Sequence, residues 1–107
     1  MQDKTVSKVG NYYGTTHLEK IGNIKFFNLE FSTSTSYTQL PQGTYTQVAT
    51  LPSDCCPLFE LSYMASYADS NGKVVQQAEL RIETDGTVKM YNYYNNRISL
   101  VFNVMFV

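Results

Sequence analysis

The side chains best suited to recognising a ligand are crowded into one stretch, Met90-Tyr91-Asn92-Tyr93-Tyr94-Asn95-Asn96-Arg97. A tyrosine ring covers the C–H face of a sugar, while amides and a guanidinium bond its hydroxyls. Tyr91, Tyr93, Asn95 and Arg97 are therefore candidate saccharide contacts, and Asp69 and His17 join them as polar groups in a turn and in the N-terminal stretch. The same tyrosines also suit cross-strand packing or a subunit contact, and the residues alone leave both readings open.

Catalytic sets are missing. The single histidine, His17, stands in a polar stretch with no nucleophile patterned around it. There is no GxSxG, no P-loop and no GxGxxG. Of nine acids, Glu79 and Glu83 share one expected face, but with Arg81 between them. That pattern suits solvated cross-strand charges better than a glycosidase pair. Cys55 and Cys56 are adjacent, and neighbouring Cα atoms lie ~3.8 Å apart, which would strain a disulfide between them. With one histidine and no CxxC spacing they do not make a zinc site, and Asp69 with Asn71 lacks the EF-hand pattern. The expectation is two reduced thiols, no metal, no cofactor and no enzymatic activity.

The elements that must position these residues are strands. The chain has 107 residues, enough for one domain, with 43% hydrophobic and 16% charged residues, a balance that argues against disorder. So few charges imply that part of the surface is covered by a partner. Net charge is −1 and Lys and Arg are scattered singly, so no basic stripe awaits nucleic acid. No apolar run approaches the ~18 residues of a membrane-spanning helix, so no membrane insertion is expected. The start, Met1-Gln2-Asp3-Lys4-Thr5, has no signal-peptide core. Nine Tyr and six Phe among many Thr, Val and Ile favour pleated structure.

Residues 1–17 read as a leader or linker stub, and residues 18–107 as the domain. Gly22-Asn23 predicts a hairpin between Thr16–Ile21 and Ile24–Ser32, with Phe27, Leu29 and Phe31 on one face. Ser32–Thr44 reads as a long loop or an edge strand, and Tyr45–Leu51 as a strand stopped by Pro52. Leu51–Pro57, with two prolines, reads as irregular. Phe59–Tyr67 alternates as a strand, with Phe59, Leu61, Tyr63, Ala65 and Tyr67 on one face, and on the next strand Val74, Gln76, Ala78, Leu80 and Ile82 point inward. Asp85-Gly86 offers two registers. A two-residue turn pairs Ile82 with Lys89 and puts a lysine in the core. A three-residue loop, Thr84-Asp85-Gly86, pairs Ile82 with Val88 and Leu80 with Met90. Burial selects the second, with Gly86 left-handed in a G1 bulge and Tyr91 and Tyr93 outside.

Asn95-Asn96 marks a further turn. The last strand, Ile98–Val107, is apolar on both faces: Ile98, Leu100, Phe102, Val104 and Phe106 form one row, and Val101, Met105 and Val107 the other, broken by Asn103. A strand apolar on both sides is covered on both sides, so Val101, Met105 and Val107 are the expected oligomer contacts. The fold class is all-β: an antiparallel, jelly-roll-like sandwich of seven to eight short strands.

The order of motifs resembles the C-terminal head domain of phage tail fibres and baseplate receptor-binding proteins. Lys20-Ile21-Gly22-Asn23-Ile24 comes first, then Val48-Ala49-Thr50-Leu51-Pro52 with Pro57 beyond. An Asn71-Gly72 turn then leads into Leu80-Arg81-Ile82-Glu83-Thr84-Asp85-Gly86-Thr87-Val88. The similarity spans about residues 18–107, and it departs at Cys55-Cys56, where the family often has Tyr-Arg. The resemblance implies a small β-sandwich, a homotrimer at the virion tail tip, and adhesion to a host cell-surface glycan. It further implies assembly with other phage tail and baseplate proteins in the host cytoplasm. A structural trimerisation or baseplate-assembly domain without glycan binding is the alternative.

Overall fold

The structure is a computed structural model and describes residues 2–94 and 97–107. Among the described residues nine strands form: β1 (Gln2–Lys4), β2 (Ser7–Lys8), β3 (Thr15–Ile21), β4 (Ile24–Phe31), β5 (Tyr45–Thr50), β6 (Leu61–Ala68), β7 (Val74–Ile82), β8 (Thr87–Asn92) and β9 (Leu100–Phe106). They make a four-stranded sheet, β1-β3-β4-β9, and a five-stranded sheet, β2-β5-β8-β7-β6, with every strand pair antiparallel. Within the larger sheet β6, β7 and β8 follow one another through hairpins and β5 lies beside β8, a Greek-key order. The expected all-β sandwich is thus what the chain builds.

Alternation sets the core. Leu18, Phe27, Leu29, Phe31, Phe102 and Phe106 face inward from the smaller sheet, against Val48, Ala78, Leu80, Ile82, Val88 and Met90 from the larger. Each such side chain, fully buried, stabilises the fold by roughly 1.5–3 kcal/mol relative to exposure. Gly22, at φ 57°, takes the first central position of the β3–β4 turn, where a type II′ turn needs positive φ. Ile21 and Ile24 close that hairpin and His17 pairs with Asn28.

The Asp85-Gly86 hairpin adopts the three-residue loop. Ile82 pairs with Val88, Leu80 with Met90, Arg81 with Lys89 and Glu79 with Tyr91. Glu83 N donates to Thr87 O at 2.9 Å, Gly86 N to Glu83 O at 3.0 Å, and Gly86 sits at φ 90°. The Asp85 carboxylate accepts from Thr87 N at 2.9 Å. That backbone hydrogen bond, helped by the Thr87 side chain, holds its carboxyl below the ordinary value.

Several details differ from the sequence expectation, each for a local reason. Residues 2–17 are woven into both sheets: β1 pairs with β3, β2 pairs with β5, and Tyr13 is buried against Phe31 at 6.0 Å between ring centroids. Leu51–Pro57 contains one turn of 3₁₀ helix, Ser53–Cys55. Phe59, expected to open that strand, is 77% exposed and lies before it, since the strand begins only at Leu61. Val74 and Gln76, expected inward, face solvent. The cause is a bulge: Ala78 pairs with Ala65 but Gln76 with Ser66, so Gln77 is an extra residue and the alternation before it is inverted. A second bulge sets Val48 and Ala49 together opposite Val88, and both are buried. The side chain of Asn95 and the turn at Asn95-Asn96 lie outside the described residues. No helix among the described residues is long and apolar enough to cross a membrane.

Candidate functional site: a tyrosine platform on the five-stranded sheet

The hairpin register leaves Tyr91 on the outward face of β8, and β5 places Tyr45 directly opposite it. The two rings meet edge-on with centroids 5.0 Å apart, and Tyr93, two residues further along the chain, lies 4.7 Å from Tyr91. Tyr93 follows the end of β8 and is held by its backbone: its N–H donates to Gln77 O at 3.1 Å, and its carbonyl accepts from Gln42 Nε2 at 3.1 Å. Tyr45 and Tyr93 keep 37% and 36% of their surface open, so the row forms a platform with exposed ring area.

Beneath Tyr45 lies a polar cluster. Tyr45 Oη donates to Glu79 Oε2 at 2.8 Å, the Ser62 hydroxyl donates to Glu79 Oε1, and Arg81 Nη2 lies 3.3 Å from the same oxygen. The Arg81 guanidinium also sits 4.3 Å from the Tyr45 ring centroid, a cation–π contact. Its Nε lies 3.3 Å from Glu60 Oε1, within ion-pair range but not aligned as a hydrogen bond. Glu79, expected to be a solvated charge, is only 8% exposed. Burial pushes its carboxyl up, but the Ser62 and Tyr45 donors and the Arg81 charge outweigh that and hold it below the ordinary value. The same bond to Glu79, with burial, raises the Tyr45 hydroxyl, which stays a donor.

The charged groups around the tyrosines are already engaged with one another. The Glu79 oxygens already receive protein donors, so they offer no idle base. Arg81 and Lys89 both have carboxylate partners, Lys89 Nζ reaching Glu83 Oε1 at 2.7 Å. The platform therefore presents rings and neutralised charges, chemistry that favours an uncharged, C–H-rich ligand face.

The sequence candidates do not all converge here. Tyr91 and Tyr93 do. Asp69 caps the β6–β7 turn, its carboxylate accepting from Asn71 N and Lys73 N, both at 2.9 Å. Arg97 donates to the carbonyls of Ser34, at 3.4 Å, and Tyr37, and so clamps the 32–44 loop. His17 is on the outward face of the other sheet, with Nε2 2.6 Å from Glu19 Oε1. There it borders a depression of about 340 Å³ lined also by Phe26, Asn28, Asn103 and Met105. Val101, Met105 and Val107 are 51%, 63% and 53% exposed along β9 and its end. Cys55 is buried and Cys56 half-buried, both as free thiols, and burial pushes the Cys55 thiol up. Sequence reasoning missed Tyr45 because its role depends on pairing with Tyr91, and nothing in either strand alone signals that pairing.

No known protein family, curated protein or solved structure matches the chain.

Proposed function

We propose that this chain is a receptor-binding head of a phage tail, non-enzymatic, that attaches to a host cell-surface saccharide. It works as a homotrimer at the tail tip, in company with other tail and baseplate proteins. The observation that carries the saccharide reading is the row Tyr45, Tyr91 and Tyr93 on one solvent-facing sheet, with centroid spacings of 5.0 and 4.7 Å. Adjacent tyrosine rings suit the C–H faces of a saccharide, and the order of turn motifs supports the phage context. Because the charges around the row are already paired, the favoured ligand is a neutral saccharide.

The test is binding of the purified chain to a glycan array and to whole cells. Tyr91→Ala and Tyr45→Ala are each expected to weaken binding by about tenfold, the equivalent of ~1.4 kcal/mol, while circular dichroism stays unchanged. Undiminished binding in both variants would remove the platform from the reading. The second reading, a structural trimerisation domain, draws on the exposed apolar row of β9. Trimers that bind no cell and no glycan would favour it.

A further inference from the structure

The smaller sheet carries a cluster that the saccharide reading does not use. Asp3 on β1 pairs directly with Glu19 on β3, and His17 stands two residues before Glu19 on the same outward face. One ligand-type atom from each of the three lies within 4.8 Å of the others. His17 Nε2 is 2.6 Å from Glu19 Oε1 and 3.8 Å from Asp3 Oδ1.

We propose that Asp3, His17 and Glu19 bind a divalent transition-metal ion, Zn²⁺ being the reference case, in a three-ligand site that staples β1 to β3.

Ligand type is the first argument. One imidazole nitrogen and two carboxylate oxygens suit a borderline ion such as Zn²⁺, whereas Mg²⁺ and Ca²⁺ prefer oxygen alone. Geometry is the second. Metal–ligand bonds near 2.1 Å in a tetrahedron put the ligand atoms about 3.4 Å apart. The observed 2.6 and 3.8 Å bracket that value and all three atoms lie within 4.8 Å of one another, so side-chain rotations can gather them around one ion. The strands supply preorganisation, because register fixes Asp3 against Glu19 and the two-residue period fixes His17 beside it. Charge is the third. Among the described residues, the outward positions of β1, β3, β4 and β9 include Asp3, Glu19 and Glu30 but no Lys or Arg, so no Lys or Arg on those strands competes for the carboxylates. Lys4 and Lys20 instead turn to Asp54, at 2.6 and 3.8 Å. His17 and Glu19 themselves border the depression that Phe26, Asn28, Asn103 and Met105 also line, which leaves room for water or a ligand oxygen beside the ion.

The experiment is calorimetric titration of the full chain, stripped with chelator, with ZnCl₂, alongside thermal melts with and without Zn²⁺. One saturating equivalent per chain and a raised melting temperature are expected. His17→Ala and Glu19→Gln should each weaken binding ~10-fold or more, since even the indirect supports of metal sites matter by 10–100-fold. Both side chains lie at the surface, and their melts in chelator should match that of the unaltered chain. Cys56→Ser, which alters the only thiol within reach of solvent among the described residues, should bind as the unaltered chain does. Absence of saturable Zn²⁺ binding, binding untouched by His17→Ala, or binding lost in Cys56→Ser would each overturn the site. Saccharide binding in chelator is scored separately, so failure here leaves the tyrosine platform standing.

Discussion

At the scale of single residues, Glu79 carries more than its exposed neighbours. It accepts from Tyr45 and Ser62 and faces Arg81, and so it fixes the ring at one end of the tyrosine row. Removing it takes the acceptor from the Tyr45 and Ser62 hydroxyls and the counter-charge from Arg81. Glu79→Ala is expected to destabilise the chain by about 1–3 kcal/mol in urea unfolding with an unchanged m-value. A loss under ~0.5 kcal/mol would mean that water replaces the carboxylate. The pH dependence has a definite sign. The folded carboxyl lies below its unfolded value of ~4.3, so its contribution is fully present above that pH and fades as pH falls through the lower folded value. Glu79→Gln, which does not titrate, should therefore trail the unaltered chain at neutral pH and close the gap in acid. A gap constant from pH 7 to 3 would assign the effect to shape and not to charge. None of this was legible beforehand, because alternation gives the face of a residue but not its depth. Glu79 sits on the outward face, as expected, and is buried there by tyrosine and arginine side chains from its own sheet.

Among elements, the hairpin through Asp85-Gly86 was legible because the two registers differed in something physical: one buried Lys89 and the other buried Val88 and Met90. The bulges at Val48/Ala49 and at Gln77 were not legible. An inserted residue leaves each local run alternating and only shifts its phase, which is why Val74 read as inward and lies outside. The hairpin also does more than reverse the chain. Gly86 O accepts from Leu51 N at 2.8 Å, tying the loop to the end of β5 and thus to the strand that carries Tyr45. A Cβ at Gly86 would lie 2.8 Å from Leu51 O and 3.1 Å from Cys56 Sγ, on top of the strain of φ 90°. Gly86→Ala is expected to destabilise by more than ~1 kcal/mol. Gly72→Ala is the matched control: φ is 78°, but its Cβ meets nothing within 4 Å, so only backbone strain applies. A larger loss at Gly86 than at Gly72 in parallel melts supports the docking role, and equal losses would reduce it to turn strain.

For the whole molecule, the two sheets present outward faces of different character. The larger offers tyrosines over paired charges. The smaller ends in β9, an edge strand with no charged residue, whose Val101 and Met105 face solvent. Val107, and Leu58 whose N–H donates to Val107 O at 3.3 Å, continue this apolar surface past the strand end. An uncharged, unbulged edge invites pairing with another chain, and an apolar surface there suits contact between like subunits. Burying it on a threefold axis would leave each tyrosine platform turned outward, three binding faces on one body. Multivalent attachment then strengthens whole-cell binding by 10²–10⁴-fold over a single face, with no new contact to sugar. Val101→Lys with Met105→Lys separates assembly from recognition, because neither residue belongs to the platform. Size-exclusion chromatography with light scattering is expected to find trimers of the unaltered chain and monomers of the double variant. Binding to an isolated oligosaccharide should be equal for both, while binding to whole cells should fall by two orders of magnitude or more in the variant. An unaltered chain that is monomeric at micromolar concentration would exclude this account of β9. Equal cell binding by trimer and monomer would show that a single tyrosine platform suffices.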